Sequence, residues 1–188
     1  MTKQDDHIAL HILHIVPGLS RLGAYTLSMS AVDSLDARLL TLLAERPQVG
    51  VLGASRELGV ARGTVQARLD RLMHRGVIRS QAPSIDPAAL GYPVTAFATL
   101  AIQQHDGHDA ILEHLRGIPE VLEVHTITGD GDLMVRVVAR DNPDLQRVID
   151  LIVRRGTVTR TNTVIALAEI LPRRTGPLVQ ESARAERR

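Results

Sequence analysis

Leu58-Gly59-Val60-Ala61-Arg62-Gly63-Thr64-Val65-Gln66-Ala67-Arg68-Leu69-Asp70-Arg71-Leu72 decides how this chain folds. Leu58 closes a short helical segment that stops at Gly59, the residue type that most readily takes the left-handed conformation ending a helix. From Ala61 helical spacing restarts. Val65, Leu69 and Leu72 share one face as far as His74, and Gly76 closes the segment. Two helices joined by so short a turn describe a helix-turn-helix. Upstream, a short helix from about Val51 to Leu58 is the first member of the pair, set off by Pro47 and Gly50. Before it a third helix begins at Asp33, a plausible N-cap with Asp36 three residues on as a capping-box variant. Leu35, Leu39, Leu42 and Leu43 form its inward stripe. Val77 and Ile78 open an extended stretch, so residues 33–78 are expected to form a helix-turn-helix of the winged kind.

The outward positions of the second helix are basic. Between Ala61 and Arg79 five arginines face one acid, Asp70. Arginine reads guanine edges or holds phosphates, glutamine pairs with adenine, and a threonine methyl meets thymine. Arg62, Gly63, Thr64 and Gln66 lie near the helix start and suit base edges, while Arg68, Arg71 and Arg75 join them as DNA-contact candidates. Arg71, Arg75 and Arg79 better suit the phosphate backbone, which positions without specifying.

Downstream the periodicity changes. Residues 79–93 contain Pro83, Asp86-Pro87 and Gly91-Tyr92-Pro93 and read as a linker. Val94 to Gln103 is a strand, and residues 107–117 a helix carrying Ile111, Leu112 and Leu115. Val121 to Thr128 and Leu133 to Ala139 are hairpin partners about the turn Gly129-Asp130-Gly131-Asp132. Asn142-Pro143 starts a second helix, and Val158 to Leu171 reads as a long final strand. The order β-α-β-β-α-β over residues 94–171 is the ferredoxin-like arrangement, giving an α+β fold class overall. Residues 172–188 are polar and Arg-rich and are expected to form a disordered basic tail.

Composition narrows the function. The chain has 188 residues, no cysteine and three aromatic residues. Thiolate metal sites, disulfides and cysteine nucleophiles are excluded, and three rings cannot build a base-stacking platform for single strands. The formal charge of +1 conceals segments of opposite sign. Residues 33–79 hold eight arginines against five acids, residues 80–171 seven against twelve, and residues 172–188 five against two. A basic helical segment and an acidic α/β segment imply separate tasks. The apolar run Ile8 to Val16 is too short to span a bilayer and lacks a cationic leader, so a cytoplasmic protein without membrane partners is expected.

The motifs together resemble the Lrp/AsnC (feast/famine) family of transcription regulators. Leu35-Asp36-x-x-Leu39-Leu40, the Leu58–Leu72 stretch and Arg75-Gly76-Val77-Ile78 look like its DNA-binding half. Ile85-Asp86-Pro87-Ala88-Ala89-Leu90-Gly91, Pro119-Glu120-Val121, Thr128-Gly129-Asp130-Gly131-Asp132 and Thr159-Arg160-Thr161-Asn162-Thr163 resemble, in order, its linker and effector domain. The resemblance covers about residues 33–171. It implies a DNA-binding regulator whose C-terminal domain (the RAM type) dimerises, assembles further to a tetramer or octamer, and binds a small effector, commonly an amino acid. It implies an effector set of Gly129, Asp130, Gly131 and Asp132, with Thr161 and Thr163 on the last strand. Three positions depart from the pattern: Ala61 replaces the usual serine, Ala54-Ser55 a Leu-Ala pair, and Gly131 an aromatic. The resemblance starts just after Met29, leaving residues 1–32 as an extension of unknown role or a start at Met29.

No catalytic motif and no cofactor motif is present: there is no nucleophile elbow, Walker loop or dinucleotide fingerprint. Asp130-x-Asp132 begins like an EF-hand loop, but Val135 stands where that loop needs glycine. His7, His11 and His14 share a helical face, and His105 and His108 alternate with Asp106 and Asp109, but neither set has a further well-spaced ligand, so no metal site is expected. Two other readings remain open from residues alone. One is a small-molecule binding or metabolic enzyme domain fused to a helical dimerisation module, and the other is a metal-responsive regulator using the histidines.

Overall fold

In the computed structural model, which describes residues 32–103, 107–154 and 156–185, helix α1 (Ser34–Glu45) starts where Asp33 caps it. Asp33 Oδ1 accepts the amides of Leu35 and Asp36 at 2.9 and 2.8 Å, and Asp36 Oδ2 accepts that of Asp33 at 3.4 Å. The capping box expected from the spacing is formed. Helix α2 (Gly50–Leu58) ends at Gly59, whose φ of 69° is the left-handed cap. Helix α3 (Arg62–His74) follows without a side-chain cap, because Ala61 has no oxygen to offer. Leu39, Leu42, Ala54, Leu58, Val65 and Leu72 make the core of the three helices. Each large aliphatic residue so buried contributes about 1.5–3 kcal/mol.

After α3 the chain turns back on itself. The amides of Val77 and Ile78 both donate to the Leu72 carbonyl, at 2.9 and 3.1 Å. Those donors are therefore unavailable to a ladder, and among the described residues no strand lies between His74 and Val94. The expected wing is not formed there. The linker instead holds one short 3-10 turn, Ala88–Leu90.

The C-terminal segment corrects a second expectation. Gly176–Ala185 is helix α6, not a disordered tail. Val179 and Ala183 pack with Val32, Ala37, Leu40 and Val77. The arginines that dominate the segment's composition mask a short apolar face, which becomes stable only against α1. By contacts the chain divides into two units: Ser84–Ile170, and a helical unit that runs to Pro83 and resumes at Leu171. The histidine set at residues 7, 11 and 14, together with His105, lies outside the described residues.

The other unit holds β1 (Val94–Ile102), α4 (Gly107–Arg116), β2 (Val121–Thr126), β3 (Leu133–Ala139), α5 (Asn142–Val153) and β4 (Val158–Ala166). The sheet order is β2-β3-β1-β4, with every neighbour antiparallel. Ala96, Ala98, Leu100 and Ile102 of β1 and Leu133, Val135 and Val137 of β3 face a core closed by Ile111, Leu115, Leu145, Val148 and Ile152. Asp141 caps α5 through the Asp144 amide at 2.7 Å.

Strand β4 stops at Ala166 rather than Leu171. Its partner at that end is Thr95, and the chain before β1 is Pro93, which has no amide to extend the ladder. Leu167 and Ile170 are consequently 98% and 89% exposed. No helix among the described residues is long and apolar enough to cross a membrane.

Candidate nucleic-acid interface and effector cavity

Helix α3 presents two different chemistries around its circumference. Arg62, Gly63, Gln66, Asp70 and His74 are exposed, as are Arg75 and Arg79 beyond its end. Gln66 donates to Asp70 Oδ1 at 2.9 Å, one turn on. Among the described residues, neither Arg62 nor Arg75 has a carboxylate within salt-bridge distance. Thr64 is half-buried, beside the uncapped start of the helix.

Arg68 belongs to the other face. Its Nη1 donates to Asp33 Oδ2 and to Asp36 Oδ1, both at 2.6 Å. Arg71 Nη2 donates to Asp36 Oδ2, also at 2.6 Å. The Asp36 side chain is 1% exposed and Arg68 21%, whereas Arg71 is 44% exposed. The Asp33 carboxyl is pushed up by burial. The bonds from Arg68 and from the Asp36 and Leu35 amides outweigh this and hold it below its ordinary value. The bond to Asp33, with further help from Asp36, raises Arg68 in turn. Arg68 is thus a clamp between α3 and the cap of α1, and it leaves the set of DNA-contact candidates. The sequence carried a signal for this: the offsets that turn Val65 and Leu72 inward set Arg68 between them. Arg71 is shared, with one guanidinium nitrogen on Asp36 and much of its surface in solvent.

In the sheet unit the glycine-rich turn is tied to β1 by its last residue. The Asp132 amide donates to the Leu100 carbonyl at 2.8 Å, and Asp132 Oδ2 accepts the Ile102 amide at 2.8 Å. Asp132 is a structural anchor, and the expectation that it meets the effector is corrected accordingly. Gly131 lies flat on β1. A Cβ there would collide with Thr99 Cγ2 and stand 3.1 Å from the Leu100 carbonyl oxygen, so no aromatic fits without displacing backbone. Gly129 has φ 112°. Asp130 is exposed in the turn, and its carbonyl accepts Arg160 Nη2 at 2.6 Å.

Beside Asp130 an open cavity of about 500 Å³ is lined by Thr99, Ala101, Ile127, Asp130, Arg160 and Asn162. The register explains this set. Ala101 pairs with Arg160 and Thr99 with Asn162, so these four share the face away from the helices. Leu100 pairs with Thr161 and Ala98 with Thr163, which turns both threonines toward the helix-covered face. Thr161 Oγ1 is buried and, among the described residues, makes no hydrogen bond. Thr161 and Thr163 therefore do not line the cavity, whereas Arg160 and Asn162, one residue away, do. The alternation of a strand was the available signal, but only the pairing with β1 says which parity faces the cavity.

The cavity lining offers groups of both charge signs. A guanidinium suits a carboxylate, the Asp130 carboxylate suits an ammonium group, and Asn162 can donate or accept. Its volume lies in the range of small-molecule pockets. Among the described residues no group of three or more potential metal ligands converges.

The Lrp/AsnC ligand binding domain family model matches residues 95–175. A similar HTH-type transcriptional regulator of Pyrococcus abyssi is 34% identical over 118 residues, covering 63% of this chain and 74% of the relative. Among solved structures, AsnC of E. coli superposes with a TM-score of 0.70 at 25% identity, covering 78% of this chain and 99% of that one. A feast or famine regulatory protein of M. tuberculosis, complexed with L-methionine, gives a TM-score of 0.68 at 25% identity and covers 76% and 96%.

Proposed function

The chain belongs to the Lrp/AsnC family of transcriptional regulators, and from that premise we propose that α3 reads the major groove of duplex DNA while the cavity beside Asp130 takes an α-amino acid. The protein is a transcription regulator and not an enzyme. What carries the DNA reading is the exposed face of α3, where Arg62 and Gln66 stand without a packing role in the fold. Arg62, Gly63, Thr64 and Gln66 approach base edges, and Arg71, Arg75 and Arg79 hold phosphates. A dimer offers two such helices to half-sites about one helical turn apart. The role is cytoplasmic.

In the effector cavity Arg160 receives the ligand carboxylate and Asp130 its ammonium, with Asn162 between them. L-methionine, bound by the M. tuberculosis relative, is the first ligand to try. Self-association is supported by the open sheet face, where Phe97, Met134 and Val164 expose large apolar surface that a second copy would cover. Assembly beyond the dimer, to a tetramer or octamer, is one step that the effector modulates. Occupancy shifts it only through different affinities for the two states.

Fluorescence anisotropy on a duplex selected from a random library tests the DNA reading. Arg62→Ala and Gln66→Ala are each expected to cost about 1–3 kcal/mol on the selected duplex, and Arg75→Ala to reduce the salt slope by about one. Affinity that is flat in salt and untouched by these changes would remove α3 from the interface. For the cavity, a thermal-shift screen of the standard amino acids should yield a ligand whose shift disappears in Asp130→Ala. Sedimentation with and without that ligand reads the assembly.

A further inference from the structure

Helix α1 carries two apolar faces, and the helix-turn-helix uses one. Leu39 and Leu42 enter the core with α2 and α3. Successive helical residues turn by about 100°, so Ala37 stands about 160° from Leu39, on the far side of α1. That far side is covered by α6, where Val179 and Ala183 meet Ala37 and Leu40. The short side chains of Ala37 and Ala183 let the two helices approach closely. Both are buried, at 8% and 7% exposure.

Helix α6 follows the sheet in sequence yet belongs to the unit that contains α3. Two stretches of backbone therefore join the helical unit to the sheet unit. The first is the linker into β1, and the second is residues 167–175, which leave β4 and enter α6. This second stretch has no regular structure. Nine residues reach at most ~30 Å when extended, so it is a strap of fixed maximum length. It begins at the residue after β4, the strand that supplies Arg160 and Asn162 to the cavity.

We propose that residues 167–175 and α6 form a coupling strap, through which occupancy of the cavity on β4 alters the DNA affinity of the helical unit within a single chain. The device rests on the reading of the cavity as an amino-acid site, and it is separate from any change in assembly. A unit held at two points has fewer arrangements open to it than one held at a single linker. A ligand that favours one setting of β4 then favours a subset of those arrangements, and DNA, which also selects among them, is linked to the ligand.

Two variants of the full chain test this. In the first, about eight Gly/Ser residues inserted between Pro172 and Arg173 slacken the strap and leave β4 and α6 intact. In the second, Ala183→Glu undocks α6. DNA affinity is measured by anisotropy with and without L-methionine, or whichever amino acid shifts the melting of the parent, and ligand binding by thermal shift. The slack variant is expected to bind DNA alone and amino acid alone as the parent does. Its ratio of DNA affinities with and without the amino acid should fall from the usual coupling range of about 5–150-fold to within about twofold. Ala183→Glu is expected to melt earlier and bind DNA more weakly whether or not the amino acid is present. A slack variant with the parental ratio overturns the strap, as does parental melting and DNA binding in Ala183→Glu. A parent that binds an amino acid without change in DNA affinity also overturns it. A parent whose melting no amino acid shifts overturns the effector reading itself, which separates the two failures.

Discussion

Replacing Arg68 with alanine removes the guanidinium that joins α3 to the cap of α1. Two bonds of 2.6 Å are lost, and the Asp36 carboxylate, 1% exposed, keeps Arg71 as its one cationic partner among the described residues, beside the Asp33 amide at 3.4 Å. Removing one partner of a buried ion pair typically costs about 3–5 kcal/mol, because the remaining charge is stranded in a poorly solvated site. Arg71 still faces Asp36 and Arg68 is itself 21% exposed, so the expected cost is lower, about 2–3 kcal/mol. For a helical unit of this size each kcal/mol moves the midpoint by about 4–8 °C, giving a drop of roughly 8–24 °C. Calorimetry of the full chain reads that drop. Arg68→Lys keeps the charge but not the planar fork that spans two carboxylates, and should recover about half of it. Well below the midpoint, Arg68→Ala should retain the DNA sequence preference of the parent, whereas Arg62→Ala relaxes it. An Arg68→Ala protein that melts like the parent and has lost DNA binding would refute the clamp and return Arg68 to the DNA-contact set.

Three further outcomes follow from the same geometry. Ala61→Ser supplies the missing cap at the start of α3 and should stabilise the helical unit by about 1 kcal/mol, seen as a higher midpoint; no change would mean that the α3 amides are already satisfied. Gly131→Ala drives a methyl into Thr99 and the Leu100 carbonyl. It should cost the sheet unit about 1–3 kcal/mol and lower amino-acid affinity, and a neutral result would show that the turn does not lie on β1. Acid should weaken the helical unit through Asp33. Burial raises its carboxyl, but Arg68 and the capping amides bring it below the ordinary 3.8. A depressed folded value means that this contribution is complete above 3.8 and is lost as pH falls through the lower folded value. Melting followed from neutral pH into that window should fall less in Arg68→Ala than in the parent. Equal slopes would sink the assignment.

The helices and strands were legible because their signals are local. The Asp33/Asp36 capping box, the Gly59 stop and the stripe of Val65 and Leu72 need no partner to be recognised. The β-α-β-β-α-β order was equally plain, since the strands are short apolar, β-branched runs bounded by turn residues and the helices carry a 3.6-residue stripe. The site was half legible. Gly129, Asp130 and Gly131 stood out as turn residues, and Arg62 and Gln66 as outward polar positions on a helix.

By itself, then, the sequence determined the three helices of the helix-turn-helix and the β-α-β-β-α-β elements, and what kind of surface each presents, because dihedral preference and periodicity act over a few residues. The tertiary structure alone decided what those surfaces meet. Arg68 faces Asp36 across 32 residues, and the pairing of β4 with β1 turns Arg160 and Asn162, not Thr161 and Thr163, toward the cavity. The Arg-rich C-terminal segment becomes a helix because a second apolar face of α1, invisible to a search for one stripe, is there to receive it. Pairing, parity and docking are set by contacts between residues distant in the chain, and no local pattern encodes them.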